Sequence, residues 1–134
     1  MTDEWIIMKV QAYAREDGCV PFEKWLQELD SAASSKVIIA QARLMLGNTS
    51  NVKWFDGIGE YRINWGPGYR IYLAQDGPDL ILLYAGGTKQ GQQSDITFAL
   101  MLHQEYQQRK KQDKVFEKQD VTKPIDVKKR RKKR

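Results

Sequence analysis

Near residue 52 the apolar residues of this 134-residue chain change period, from every third or fourth position to every second. EYRINW (60–65) and YRIYLA (69–74) alternate around Gly66-Pro67-Gly68, and DLILLYAGG (79–87) is almost unbrokenly apolar. Strand side chains alternate between faces, so the first two runs predict a hairpin and the third a central strand buried on both sides. VKWF (52–55) predicts a shorter strand, followed by a turn at DGIG.

Upstream, the spacing is helical. After a strand in WIIMKVQAY (5–13), Pro21 suits a helix start, and Phe22, Trp25, Leu26 and Leu29 form one stripe. Asp30-Ser31 breaks that helix. A second is predicted over 34–46, with Val37, Ala40 and Leu44 on its inner face and Gly47-Asn48 as its stop. The short connection predicts an antiparallel helix pair. A last helix should start near 92–94 and end near Lys111, with Ile96, Ala99, Leu100, His103 and Tyr106 facing inward. The fold class is therefore α+β: two N-terminal helices and a C-terminal helix packed on a small antiparallel sheet. Trp5, Trp25, Trp54 and Trp65 are expected in the core, His103 at its boundary, and Cys19 as a plain buried thiol or loop residue.

Charge divides the chain more sharply than periodicity does. Residues 110–134 carry 12 Lys/Arg against 4 Asp/Glu, whereas residues 1–109 carry 10 against 13. We read a domain over 1–111 and a basic, disordered tail over 112–134, ending in KKRRKKR. Such a tail binds polyanions non-specifically and in a salt-dependent way. Any anion site on the mildly acidic body must be a local cluster. One cysteine and one histidine argue against a disulfide framework and against a His/Cys metal cluster. No segment has the ~20 apolar residues of a membrane span, and the acidic start is unlike a signal peptide. These features predict a soluble, cytoplasmic protein with no membrane partner.

Parity then places the hairpin's polar residues. If Gly66-Pro67-Gly68 is the whole loop, Trp65 pairs with Tyr69, Asn64 with Arg70, and Arg62 with Tyr72. Arg62, Arg70 and Tyr72 then cluster on one sheet face. Two readings stay open for them. Glu60 could neutralise the arginines as a structural ion network, or the planar guanidiniums could clamp a phosphate, with Tyr72 stacking on a base or passing a proton.

The run FEKWLQELD, ARLMLGN, VKWFDGIGEYRINWGPGYRIYL and LLYAGGTK resembles the RelE/ParE superfamily of toxin–antitoxin toxins over residues ~20–110. It is most similar to the addiction-module killer branch, with its HigB-like toxins. The specific elements are E-x-R-I-x-x-G-x-G-Y-R at Glu60–Arg70 and G-G-x-K at Gly86–Lys89. The resemblance implies a toxin of a type II toxin–antitoxin module that cuts messenger RNA on the ribosome. It implies a metal-independent endoribonuclease without cofactor, in which the ribose 2′-OH attacks the adjacent phosphate. By motif position Arg62, Arg70 and Lys89 carry over as catalytic cations. Tyr72, Lys53 and Asn64 are candidate substrate contacts. A cognate antitoxin, the ribosome and mRNA are the implied partners. A ParE-like DNA gyrase inhibitor and an inactive nucleic-acid-binding module are the alternatives. After the lysine the chain departs from the branch, reading QGQQSDI and retaining only Asp95-Ile96.

Overall fold

A computed structural model describes residues 8–122, with side chains to residue 113. Its elements are β1 (Lys9–Ala12), α1 (Pro21–Gln27), α2 (Ser31–Met45), β2 (Val52–Phe55), β3 (Ile58–Ile63), β4 (Tyr69–Asp76), β5 (Leu80–Thr88), a 3-10 turn (Lys89–Gly91) and α3 (Gln92–Thr122). Contacts divide the chain after His103. Up to that point it is an α+β body; from Gln104 the described residues continue α3. Among the described residues no helix is long and apolar enough to cross a membrane.

The five strands lie in the order β1-β5-β4-β3-β2. The sheet is mixed, which corrects the antiparallel expectation: β1 runs parallel to β5, with Val10 opposite Ile81 and Ala12 opposite Leu83. A parallel neighbour needs a long crossover rather than a hairpin. Both α1 and α2 lie between β1 and the hairpin strands, and they let the chain return in the required direction.

Local chemistry explains the boundaries. Pro21 opens α1 at a position where its missing N–H costs nothing. Asp30 accepts the Ala33 N–H at 2.8 Å, so α2 starts at Ser31, earlier than its apolar spacing predicts. At its other end Gly47 N–H donates to Leu44 C=O and Asn48 N–H to Arg43 C=O, the Schellman pattern. Asp56 and Gly57, both with positive φ, close the β2–β3 hairpin as a two-residue turn pairing Phe55 with Ile58.

One sheet face packs on α1 and α2. Phe22, Val37, Ala40 and Leu44 meet Tyr61, Ile71, Leu73, Ile81 and Leu83 there. The start of α3 lies against the opposite face. Ala99 and Leu102 are fully buried, and Tyr84 meets His103 at 2.7 Å between hydroxyl and Nδ1. An irregularity at Tyr72/Leu73 lets β5 insert Tyr84 without a direct partner.

Several aromatic expectations change. Trp25 is half-buried against Phe22 and Tyr69, but Trp54 and Trp65 are 44% and 37% exposed. Trp54 sits on the short edge strand β2, which offers it little cover. Cys19 is an exposed loop residue. Trp5 lies outside the described residues. Helix α3 reaches Thr122, past the Lys111 end read from the sequence. The remainder of the basic tail, 123–134, is outside the described residues.

Candidate functional site

The β3–β4 connection sets the site. Strand β3 stops at Ile63, which pairs with Tyr69, so five residues (64–68) form the loop instead of three. Trp65 turns its N–H back to the Ile63 carbonyl, and Gly68 N–H closes a turn onto the Trp65 carbonyl. Gly66 and Gly68 take positive φ there. The expected pairings therefore shift by two residues and keep their parity. Arg62 lies directly opposite Arg70, and Glu60 opposite Tyr72.

Directly opposed side chains stand ~5 Å apart at Cβ, and like charges at that distance repel. The remedy here is Glu60. Its carboxylate is buried, and Oε2 meets Arg70 Nε at 2.5 Å, off the line of the N–H. Oε1 lies 3.7 Å from Arg62 Nη2, and Gln92 Nε2 donates to Oε2 at 3.1 Å. Side-chain exposure separates the two cations: 11% for Arg70 and 43% for Arg62. Arg70 is thus fixed by the buried carboxylate, whereas Arg62 touches it only loosely. Arg70 Nη1 is buried without a hydrogen-bond partner among the described residues.

A cleft of about 540 Å³ opens above this pair. Arg62, Asn64, Arg70 and Lys89 line it with the loop 65–68, so its walls bear three cations and no carboxylate. Lys89 is held there by backbone: its N–H donates to the Gly68 carbonyl at 2.9 Å. The 3-10 turn that follows β5 is thereby tied to the hairpin tip.

The structure brings together Arg62, Asn64, Arg70 and Lys89 around the cleft, and it corrects one other expectation. Tyr72 is fully buried under α3 and cannot stack on a base. Burial, with the nearby Glu60 and Asp95 charges, pushes its phenol far above the ordinary value, which argues against it as a proton donor. Lys53 is exposed on β2 opposite Glu60, on the correct sheet face but outside the cleft walls.

Sequence reasoning gave no site role to Gln92, and noted Asp95 only as a residue retained from the branch. Gln92 braces Glu60 from α3. Asp95 lies over Gly87, the β5 partner of Arg70, where any Cβ would collide with its carboxylate. Partial burial raises the Asp95 pKa. On the other sheet face a Cβ at Gly86 would strike Trp25. Adjacent glycines inside an apolar strand were the available signal, since they mark close approach on both faces.

The geometry defines an α+β domain with a small cationic cleft at the hairpin end of its sheet. The chain belongs to the same family as an uncharacterized protein of Haemophilus influenzae, with which it is 41% identical over 86 residues, 63% of this chain and 87% of that protein. No family model matches the chain. No solved structure matches it.

Proposed function

We propose that this protein is the toxin of a type II toxin–antitoxin module, of RelE/ParE type, and that it cleaves messenger RNA on the ribosome. The observation that carries the reading is the opposed pair Arg62 and Arg70 sharing one carboxylate, under a cleft completed by Lys89. One carboxylate cannot neutralise two guanidiniums, so the cluster keeps positive charge directed at the cleft. A phosphodiester is an anion of suitable size and geometry for it.

In the reaction proposed, a ribose 2′-oxygen attacks the neighbouring phosphorus and its proton passes to solvent or a ribosomal group. The phosphorus–O5′ bond breaks, leaving a 2′,3′-cyclic phosphate and a 5′-hydroxyl that takes up a proton. Arg62 and Arg70 would stabilise the charge that builds on the phosphorane oxygens. Lys89 would contact a second phosphate oxygen or protonate the leaving oxygen. Asn64 would contact the ribose or base at the cleft mouth. An antitoxin protein would hold this activity in check.

A gyrase-binding protein of the same superfamily is the second reading. It is favoured by the depth of the Arg70–Glu60 ion pair, which commits one cation to structure. Purified protein added to a translating extract, with mRNA ends mapped by primer extension, separates the two. Ribosome-dependent cuts support cleavage; loss of supercoiling activity without cuts supports gyrase binding and overturns the ribonuclease reading.

A further inference from the structure

Strand β2 covers only part of β3. Its last pair joins Val52 to Tyr61, so beyond Tyr61 the outer edge of β3 has no strand beside it. Only the Arg62 N–H reaches across, donating to the Asn51 carbonyl at 3.4 Å. A pocket of about 270 Å³ occupies this notch between α2 and the hairpin tip. Ala40, Tyr61 and Ile63 give it an apolar floor. Lys36, Arg43 and Arg62 stand around it, and no carboxylate lines it. Arg62, Asn64 and Trp65 line this pocket and the arginine cleft alike, so the two sites meet at those residues.

Trp65 is 37% exposed where it borders the pocket. Tyr69 stacks on it with 6.2 Å between ring centres and planes 24° apart, and Lys36 Nζ lies 5.4 Å from its ring centre. The indole is thereby held in a set plane beside a cation. Asn51 and Asn64 add two primary amides, each a donor and an acceptor at once. Neither amide is hydrogen-bonded among the described residues. A supported aromatic ring, free amides and cations without carboxylates are what single-stranded nucleic acid uses: the base stacks, its edge bonds, and its backbone meets the charge. The pocket is smaller than the ~300 Å³ at which sites for drug-sized ligands begin, which suits a single ring system.

We infer that this pocket is a nucleobase subsite, which receives the base of the nucleotide beside the phosphate held in the arginine cleft. The inference rests on reading that cleft as a phosphodiester site, and it adds what lies next to the phosphate. The base stacks on Trp65, Asn51 and Asn64 meet its edge, and Lys36 and Arg43 meet the next phosphate along the strand. A simple anion would use the cations and leave the indole idle, whereas an apolar ligand would do the opposite. Trp65 and Asn51 are binding residues in this account and take no part in breaking the phosphorus–oxygen bond. The test is therefore a binding test.

Full-length protein is titrated by NMR with a 5′-phosphorylated 2′-O-methyl diadenylate, whose blocked 2′-oxygens prevent cleavage. The same backbone with hydrogen in place of both bases is the comparison. The diadenylate should bind about tenfold or more tighter than the base-free backbone, and it alone should shift the Trp65 indole and the Asn51 side-chain amide. Trp65→Ala should weaken the diadenylate about tenfold and leave the base-free backbone as it was, which also shows that the variant keeps its fold. Trp65→Phe preserves a stacking face and should retain most of the affinity. Arg62→Ala should weaken both probes. The inference is overturned by equal affinity for the two probes, by Trp65→Ala weakening both alike, or by base-dependent shifts that bypass Trp65 and Asn51. Failure of the cleft reading looks different: base-dependent binding at Trp65 that survives Arg62→Ala keeps the base pocket and removes the phosphodiester cleft.

Discussion

Arg62 and Arg70 face each other directly across β3 and β4, and the buried Glu60 carboxylate touches both, closely at Arg70 and loosely at Arg62. The two arginines therefore have different duties. Arg70 belongs partly to the fold, and Arg62 belongs mainly to the cleft.

That division predicts unequal stability costs. Arg70→Ala strands a buried carboxylate and should cost about 3–5 kcal/mol in denaturant unfolding. Arg62→Ala removes a half-exposed, long contact and should cost less than about 1 kcal/mol. Equal costs would mean that Glu60 holds both arginines alike.

Removing the carboxylate instead should destabilise through the same pair. Glu60→Leu alone leaves a buried guanidinium unpaired, at about 3–5 kcal/mol. Combined with Arg70→Met, the loss should be much smaller than the sum of the single changes, because no unpaired charge remains. Additive losses in a double-mutant cycle would contradict the direct pairing.

Gly87 is expected to tolerate no side chain. Gly87→Ala pushes against the Asp95 carboxylate and should cost about 1–3 kcal/mol by displacing the start of α3. Asp95→Ala removes the obstructing group and relieves a partly buried charge, so the double variant should recover most of that loss. Thermal unfolding of the three variants checks this.

His103 is the chain's one histidine, which makes its titration easy to read. Burial lowers its pKa, with Asp76 opposing, and its Nδ1 shares a hydrogen bond with the Tyr84 hydroxyl. A group with a depressed folded pKa contributes stability that is complete above the unfolded value of about 6.5 and is lost as pH falls through it toward the folded value. The imidazole proton resonance should titrate below 6.5, and His103→Phe should flatten the stability profile in that window. A midpoint above 6.5 would contradict the burial.

Much of the body was legible because its elements obey simple periods. The apolar stripe of α1, the Gly47 stop, the Asp56-Gly57 turn and the alternation in β3 and β4 all report local physics. Parity alone put Arg62 and Arg70 on one face. The register slipped by two residues because Gly66-Pro67-Gly68 looks like a complete loop, whereas Asn64 and Trp65 also leave the ladder, with Trp65 stacking on Tyr69. Tyr72 was misassigned for a tertiary reason. It shares a face with the arginines, but the start of α3 covers it completely and leaves Arg62 exposed. The parallel pairing of β1 with β5 joins residues far apart in the chain, and no local pattern encodes it.

The central claim is that the exposed cation of this pair acts on a phosphodiester. Arg62→Ala tests it most directly, because it should leave the protein folded. In a translating extract with mapped mRNA ends, the account predicts a fall in cleavage rate of roughly 100-fold or more against the unaltered protein. A folded Arg62→Ala variant that cuts at the wild-type rate would contradict it.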